Sequence, residues 1–419
     1  TDPVDASSIP GQELLPFSGR VLSQEAKWYR GELHAHSVYG GGRETVGQLI
    51  KRAEKLGLDF LAITDRNTMA ACMDPEFHSD TVVLIPAMEW GSDEMGVALI
   101  YGPRTFPAQA ETVAHAQALA NRVQAQGGIF TVGHPCFSSL PWQWGIRYVN
   151  AIEVWCREWR EVPPMVLEQL SEDLTERHEG DLVYSIASAA ATTGLSANGQ
   201  AALFWDYELG RGLKACAIAG SGTASPKAPM GAPVTYVYAT EKSVSGILDG
   251  LRRGRTFLSS GLEGPKIRFA ADVLANGTLD AGIGGVIPFK VETQIEAAVQ
   301  GAKGKKLQIL LNGYPIITKL IESDTFLQLL PVQPEHYSVY RVRVIDTPSR
   351  RGFGAVEVLA MTSPIYADDI AQEILFAHPE IEPDKAWIEL RRDPNEPPVL
   401  NEWMFPSGDA GRIHPEWTL

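Results

Sequence analysis

From Trp28 to about Ser260, short apolar runs alternate with stretches whose apolar positions recur at helical spacing. Val46, Leu49, Ile50, Ala53 and Leu56 stand three and four apart, which predicts a helix over Glu44–Leu56 with Gly57 at its C-terminal cap. The run Asp59–Thr64 (DFLAIT) predicts a buried strand, as do Thr81–Ile85, Val97–Tyr101, Ile129–Val132, Ala151–Trp155 and Ala215–Ala219. Further helices are predicted at Ala108–Gln126, Pro164–His178 and Val244–Leu251. Strand–helix alternation implies parallel strands covered by helices, and six or seven such strands fit a barrel better than an open sheet.

The pattern changes near Gly261. Phe289, Val291, Thr293 and Ile295 alternate with Lys290, Glu292 and Gln294, and Leu307, Ile309 and Leu311 alternate up to an Asn312-Gly313 turn. Val342 and Val344 alternate with Arg341 and Arg343. Period-two strands with Gly- and Asn-rich turns predict an antiparallel β-sandwich of about 100 residues, ending near Tyr366. The Pro- and acid-rich remainder reads as an extended surface arm with one short helix at Asp368–Phe376.

A chain of 419 residues is longer than one typical domain, so two domains plus accessory segments are expected. A net charge of −15 argues against nucleic acid or an anionic membrane surface as partner, since both are gripped by clustered Lys and Arg. No apolar run reaches the roughly 18 residues that would span a bilayer. The opening stretch TDPVDASSIPGQELLP, polar and Pro-containing from Thr1, reads as a tether after a removed secretory segment, or as a trimmed start. An extracytoplasmic location (periplasmic or secreted) is therefore expected, with the cytoplasm as the alternative. Cys72, Cys136, Cys156 and Cys216 form no CxxC pair and read as buried free thiols.

The chemistry gathers at strand ends. His34-Ala35-His36 closes a short apolar start, and residues two apart in a strand point to the same side, so both imidazoles can reach one ion. Asp65 closes DFLAIT, Glu89 follows VVLIPAM, and His134 follows IFTVG. That is the face where parallel βα folds place their sites. Two or three histidines with carboxylates make a ligand set suited to Zn, Mn or Fe. The other histidines (His78, His115, His178, His336, His378, His414) fall in helices, loops or the tail, and His115 reads as solvent-facing.

In order and spacing, WYRGELHAHS, LAITDRN, LIPAMEW, TVGHP and NAIEVW resemble the PHP (polymerase and histidinol phosphatase) superfamily. GRTFLS at Gly254–Ser259 and MTSPIY at Met361–Tyr366 are similar to its two-domain branch that includes carbamate-hydrolysing enzymes. The resemblance covers roughly residues 27–366. It implies an α/β fold: a distorted (β/α)7 TIM-like barrel over 27–263, then an immunoglobulin-like β-sandwich over 264–366. Residues 1–26 would form an N-terminal arm and 367–419 an extended tail. It also implies His34, His36 and Glu89 as ligands of one metal, Glu89 bridging to a second served by His134, and Asp65 beside them as a ligand or supporting carboxylate.

The departures from that pattern are specific. Arg66 stands where the family's TDHN motif has His, and Gly96 where a further His is expected. Gly222 and Ala224 replace the Asp and His of GSD-x-H, and Tyr39-Gly40-Gly41-Gly42 replaces a Ser–Asp start. What remains suits one divalent transition metal (Zn, Mn or Fe), or none, held by His34, His36, Glu89 and His134. A three-metal centre is not expected. The Arg66 guanidinium could neutralise Asp65 and Glu89 as a metal otherwise would, or point into solvent. The expected function is hydrolysis of a small-molecule phosphoester, carbamate or related ester by metal-activated water at a site reduced to one or at most two metals, with Asp65, Glu89 and Arg66 shaping the chemistry. The alternative is a non-catalytic relative that serves as a binding or interaction module. Cys136, Phe137, Trp142, Trp144, Trp155 and Trp159 suggest either an aromatic pocket wall or packing of a long loop. Arg252, Arg253 and Arg255 suggest either an anion site or a solvated helix end.

Overall fold

The first helix, α1 (Val46–Leu56), shows how closely local chemistry sets the boundaries. Thr45 and Gln48 form a reciprocal capping box, so the helix begins after Thr45, and Glu44 instead pairs with Arg52 at 2.7 Å. Gly57 ends it in the left-handed conformation, φ 65°, with its N–H on the Ala53 and Glu54 carbonyls. The structure, a computed structural model, describes residues 19–161, 195–273, 277, 279–346 and 356–368. The helices expected at Pro164–His178 and beyond Asp368 lie outside the described residues, as do residues 1–18 of the N-terminal arm.

The strands of the first half are β1 (Lys27–Ala35), β2 (Phe60–Ile63), β3 (Val83–Ser92), β4 (Gly96–Tyr101), β5 (Ile129–Val132), β6 (Ala151–Cys156), β7 (Cys216–Gly220), β8 (Val234–Ala239) and β9 (Thr256–Ser259). Helices α2 (Val113–Ala125), α3 (Ala197–Gly210) and α4 (Val244–Arg252) lie between them. The strands neighbour one another in the order β9-β8-β1-β2-β3-β4-β5-β6-β7. β1–β2, β2–β3, β5–β6 and β6–β7 are parallel, as the alternation predicts. β4 runs against both β3 and β5, and β8 runs against β1 and β9, so the sheet is mixed. The cause at β4 is connection length: only Asp93–Met95 separates it from β3, enough for a hairpin and far too little for a parallel crossover.

The sheet curls until the chain after β7 meets the end of β1. The His36 N–H donates to the Thr223 carbonyl at 2.8 Å, and Ala35 and Thr223 form a parallel bridge. The free edge of β7 is satisfied by side chains. The Thr235 hydroxyl donates to the Ala219 carbonyl at 2.7 Å and accepts its N–H at 2.8 Å. Thr256 donates to the Ala217 carbonyl at 2.7 Å, and Ser363 accepts the Ala217 N–H at 2.9 Å. These hydroxyls satisfy backbone groups that a buried strand edge would otherwise strand.

The second half is antiparallel apart from one short pair. β10 (Lys266–Asp272), β11 (Ala281–Gly282), β13 (Thr293–Gln300) and β16 (Thr325–Val332) form one sheet, in the order β11-β10-β13-β16. β14 (Lys306–Leu311), β15 (Tyr314–Leu320), β17 (Ser338–Asp346), β18 (Glu357–Thr362), β19 (Ile365–Asp368) and β12 (Val286–Pro288) belong to the other, where β12 lies parallel to β19. The inward residues Phe269, Ile295, Ala297 and Val299 share a core with Leu307, Ile309, Val342 and Val344. The Asn312-Gly313 turn between β14 and β15 has positive φ at both residues, 49° and 82°, as a two-residue hairpin of this kind requires. β18 pairs with β9, so one sheet runs through both halves.

Arg341, which alternates with Val342 and Val344 in β17, does not face solvent. Arg341 is 1% exposed, clamps Asp206 of α3 through two hydrogen bonds of 2.7 and 2.5 Å, and lies over the Trp205 ring. Its face of β17 is covered by α3, which the strand pattern alone does not reveal. His115 is exposed, as expected, and the four cysteines are free thiols.

Candidate metal centre

His34 comes from the end of β1 and His36 from the residue just past it; their rings lie 5.1 Å apart. The β1–β2 ladder slips register between Glu32 and Ala35, and the β6–β7 ladder between Glu153 and Trp155. Such irregularities re-aim side chains, and here both fall beside the same cluster. His34 Nε2 lies 3.5 Å from Glu89 Oε1, and His134 Nε2 lies 3.4 Å from the same oxygen. Ligand atoms of His34, Glu89 and His134 all lie within 4.8 Å of one another, and all three residues are buried. His36 is outside that mutually close set and joins it through His34, Nε2 to Nε2 at 3.2 Å.

Glu153 organises the cluster from behind. It is fully buried, accepts from His34 Nδ1 at 2.8 Å through one oxygen and from the His134 N–H at 3.0 Å through the other. This bond puts a proton on His34 Nδ1 and turns Nε2 towards Glu89, the arrangement that carboxylate-supported metal-ligating histidines use. Glu153 was missed among the sequence-predicted site residues. The available signal was a lone charge inside the apolar run AIEVWC, since a carboxylate in a buried strand needs a partner. Glu32, also buried, holds the neighbouring loops, accepting the N–H groups of His34, Ser221 and Gly231 at 3.0, 2.9 and 3.0 Å.

Asp65 and Arg66, adjacent at the end of β2, separate. Asp65 turns to Ser37, taking its N–H at 2.6 Å and its hydroxyl at 2.5 Å, and so pins the turn that follows His36. Arg66 donates from Nε to Glu89 Oε2 at 3.0 Å and from Nη1 to Asp93 at 2.9 Å. Its second carboxylate is thus Asp93 of the β3–β4 turn, and Asp65 is already engaged. Glu89 therefore presents one oxygen to the imidazoles and the other to a guanidinium.

The electrostatics follow from burial and these contacts. Burial alone would raise Glu89, but its bonds to His134 and His34 outweigh that and hold it well below the usual carboxylate range. Burial opposes charge on His34, yet the Glu153 carboxylate and the bonds to Cys156, Glu153 and Glu89 raise it well above the ordinary imidazole value. His36 is pushed down to about 4 by burial and by His34 beside it. Asp65 is raised to about 6, chiefly by burial.

The donor set fits a divalent metal. The Nε2–Nε2 and Nε2–Oε1 separations of 3.2–3.5 Å match the roughly 3.3 Å between neighbouring tetrahedral ligands of a metal bound at about 2.0–2.1 Å. Gly96 and Gly222 both sit at positive φ, 82° and 55°, and offer no side chain to the site.

A cavity of about 390 Å³ opens over the cluster, lined by His34, His36, His134, Glu89, Arg66 and Arg157 among others. Of the suggested aromatic wall only Phe137 lines it, stacked on His134 at 4.3 Å. The rest of that segment packs inward, with Trp144 against Trp90 at 4.9 Å and Trp155 against Trp159 at 5.1 Å. Arg252 and Arg253 pair with Asp249 at the end of α4, which accounts for them as a solvated helix end.

No protein-family profile matches the chain, and no curated protein matches it. Among solved structures, it is similar to a two-domain protein containing a predicted PHP-like metal-dependent phosphoesterase from Bacteroides vulgatus, at 14% identity and a TM-score of 0.42, covering 85% of this chain and 98% of that one. A second, from Bifidobacterium adolescentis and provisionally described as a metal-dependent phosphoesterase, is 14% identical with a TM-score of 0.28, covering 48% and 90%. A third, a CARDB domain from Pyrococcus furiosus, is 11% identical with a TM-score of 0.14, covering 24% and 97%.

Proposed function

We propose that the chain is a metal-dependent hydrolase acting on a small-molecule phosphoester, carbamate or related ester at a centre reduced to one metal. The observation that carries this reading is the convergence of His34 Nε2, His134 Nε2 and Glu89 Oε1, with Glu153 fixing both histidines from behind. A divalent Zn, Mn or Fe ion held by these residues, with His36 alongside, would supply Lewis acidity and lower the pKa of water. Glu153 keeps His34 in the tautomer that offers Nε2. Arg66 holds the outer oxygen of Glu89, so that carboxylate has one oxygen to give. Asp65 acts at a distance from the cluster, by fixing the Ser37 turn that forms one rim of the cavity.

In this reading the curled sheet is a distorted (β/α)7 barrel over 27–263 and the antiparallel half an immunoglobulin-like sandwich over 264–366, in a protein of the periplasm or the exterior. A second reading, a barrel retained as a binding module without catalysis, is favoured by one observation: the Arg66–Glu89 ion pair supplies in the protein itself part of the positive charge that a metal would bring. Hydrolysis of aryl phosphate and aryl ester substrates separates the two. The proposal expects activity that a chelator removes, that added Zn or Mn restores, and that His134→Ala abolishes in a folded protein. Activity absent with every metal tried would favour the binding module, and activity indifferent to chelator would contradict the metal dependence.

A further inference from the structure

Two guanidiniums line the cavity, and they differ in one respect. Arg66 is neutralised by Glu89 and Asp93 at 3.0 and 2.9 Å. Arg157 has no carboxylate partner among the described residues. The one carboxylate lining the cavity is Glu89, and its oxygens face Arg66 and the imidazoles. In a chain of net charge −15, this cavity is locally cationic.

The backbone holds Arg157 there against its own preference. Arg157 follows β6 directly and adopts φ 61°, a left-handed conformation that non-glycine residues rarely occupy. Its N–H donates to the Gly220 carbonyl at 3.1 Å. The reversal lays its side chain over Gly222, where a Cβ would stand 3.5 Å from Arg157 Nε and 3.2 Å from Cys156 Sγ. The guanidinium thus lies beside Gly222, the position at which the resemblance implies an acid. Ser138 and Ser139 line the same cavity.

We infer that Arg157 forms an oxyanion subsite beside the histidine cluster, taking the phosphoryl or carboxylate group of the substrate. This deepens the hydrolase reading and rests on it for the word substrate. A planar guanidinium matches either oxyanion through two parallel N–H bonds. A neutral carbamate or ester leaves that charge unanswered, so the subsite selects anionic substrates.

The test is calorimetric titration of chelator-treated protein with inorganic phosphate and, separately, acetate. The wild-type chain should bind at least one of them, and the tighter one identifies the group. Arg157→Ala should weaken that binding roughly tenfold to a hundredfold, with Arg157→Lys between the two. Gly222→Asp, which places a carboxylate next to the guanidinium, should abolish it in a variant whose unfolding curve shows that it is folded. Phosphate or acetate binding unchanged in Arg157→Ala, or neither anion bound by the wild-type chain, would overturn the subsite. Metal content is measured separately on protein purified without chelator: protein that arrives metal-free and takes up no added Zn or Mn, yet binds phosphate through Arg157, would contradict the hydrolase reading and leave the subsite standing.

Discussion

Replacing Arg66 by Met keeps the side-chain stem and deletes one charge, and the structure sets the size of the effect. Arg66 Nε stands 3.0 Å from Glu89 Oε2, with Glu89 4% and Arg66 39% exposed. Two unit charges about 4 Å apart interact by roughly 4 kcal/mol at an effective dielectric constant near 20. The half-open guanidinium is screened by solvent, which brings the contribution down to about 1–2 kcal/mol. The bond to Asp93, itself 70% exposed, adds little.

In metal-free protein Arg66 stabilises the ionised Glu89, so Arg66→Met should lower the unfolding free energy by that same 1–2 kcal/mol. With metal present that loss is offset, because guanidinium and ion would share one carboxylate and repel each other, a repulsion the variant lacks. Zinc affinity, measured by competition with a chromophoric chelator, should therefore rise about 5–30-fold in Arg66→Met. Unfolding in urea with and without Zn reads both halves of the cycle. A variant that binds Zn no more tightly, with metal-free stability unchanged, would refute the view that Arg66 stands in for a cation.

Two further substitutions probe the supports. Glu153→Gln keeps one acceptor where the structure uses two, leaving a buried group unpaired. Stability should fall by about 1–3 kcal/mol in urea denaturation, and metal affinity by about 10–100-fold in chelator competition. Wild-type affinity would show that Glu153 does not orient the histidines. Arg341→Ala leaves Asp206 without its partner at a 1%-exposed position and should cost about 3–5 kcal/mol by the same denaturation assay. A loss below about 1 kcal/mol would mean that α3 and β17 are held together by other contacts.

Much of this was legible where the governing interactions are local. The α1 spacing, Gly57 at its end and the Asn312-Gly313 turn are all decided within a few residues. His34 and His134 could be placed because a strand's last residues lie at one edge of the sheet, whereas Glu89, expected at a strand end, lies within β3, which runs on to Ser92 and pairs there with β4. The directions of β4 and β8 depend on connection geometry as well as hydrophobic pattern, and alternation of strand and helix does not encode it. Arg341 alternates with valines as an exposed residue would, and the packing of α3 over that face buries it. The partner of Asp65 was equally hidden: Ser37 is 28 residues away and meets it through the turn after His36. Glu153 sits in a run so apolar that its burial was predictable, but the two groups it would bond were not, because both arrive from other strands.

The central claim is that His34, Glu89 and His134 hold one metal. The direct test is elemental analysis of protein purified without chelator, alongside His34→Ala. About one transition-metal ion per chain is expected in the wild type and none in the variant. Metal-free wild-type protein whose melting temperature does not respond to added Zn or Mn would contradict it, as would a variant that retains its metal.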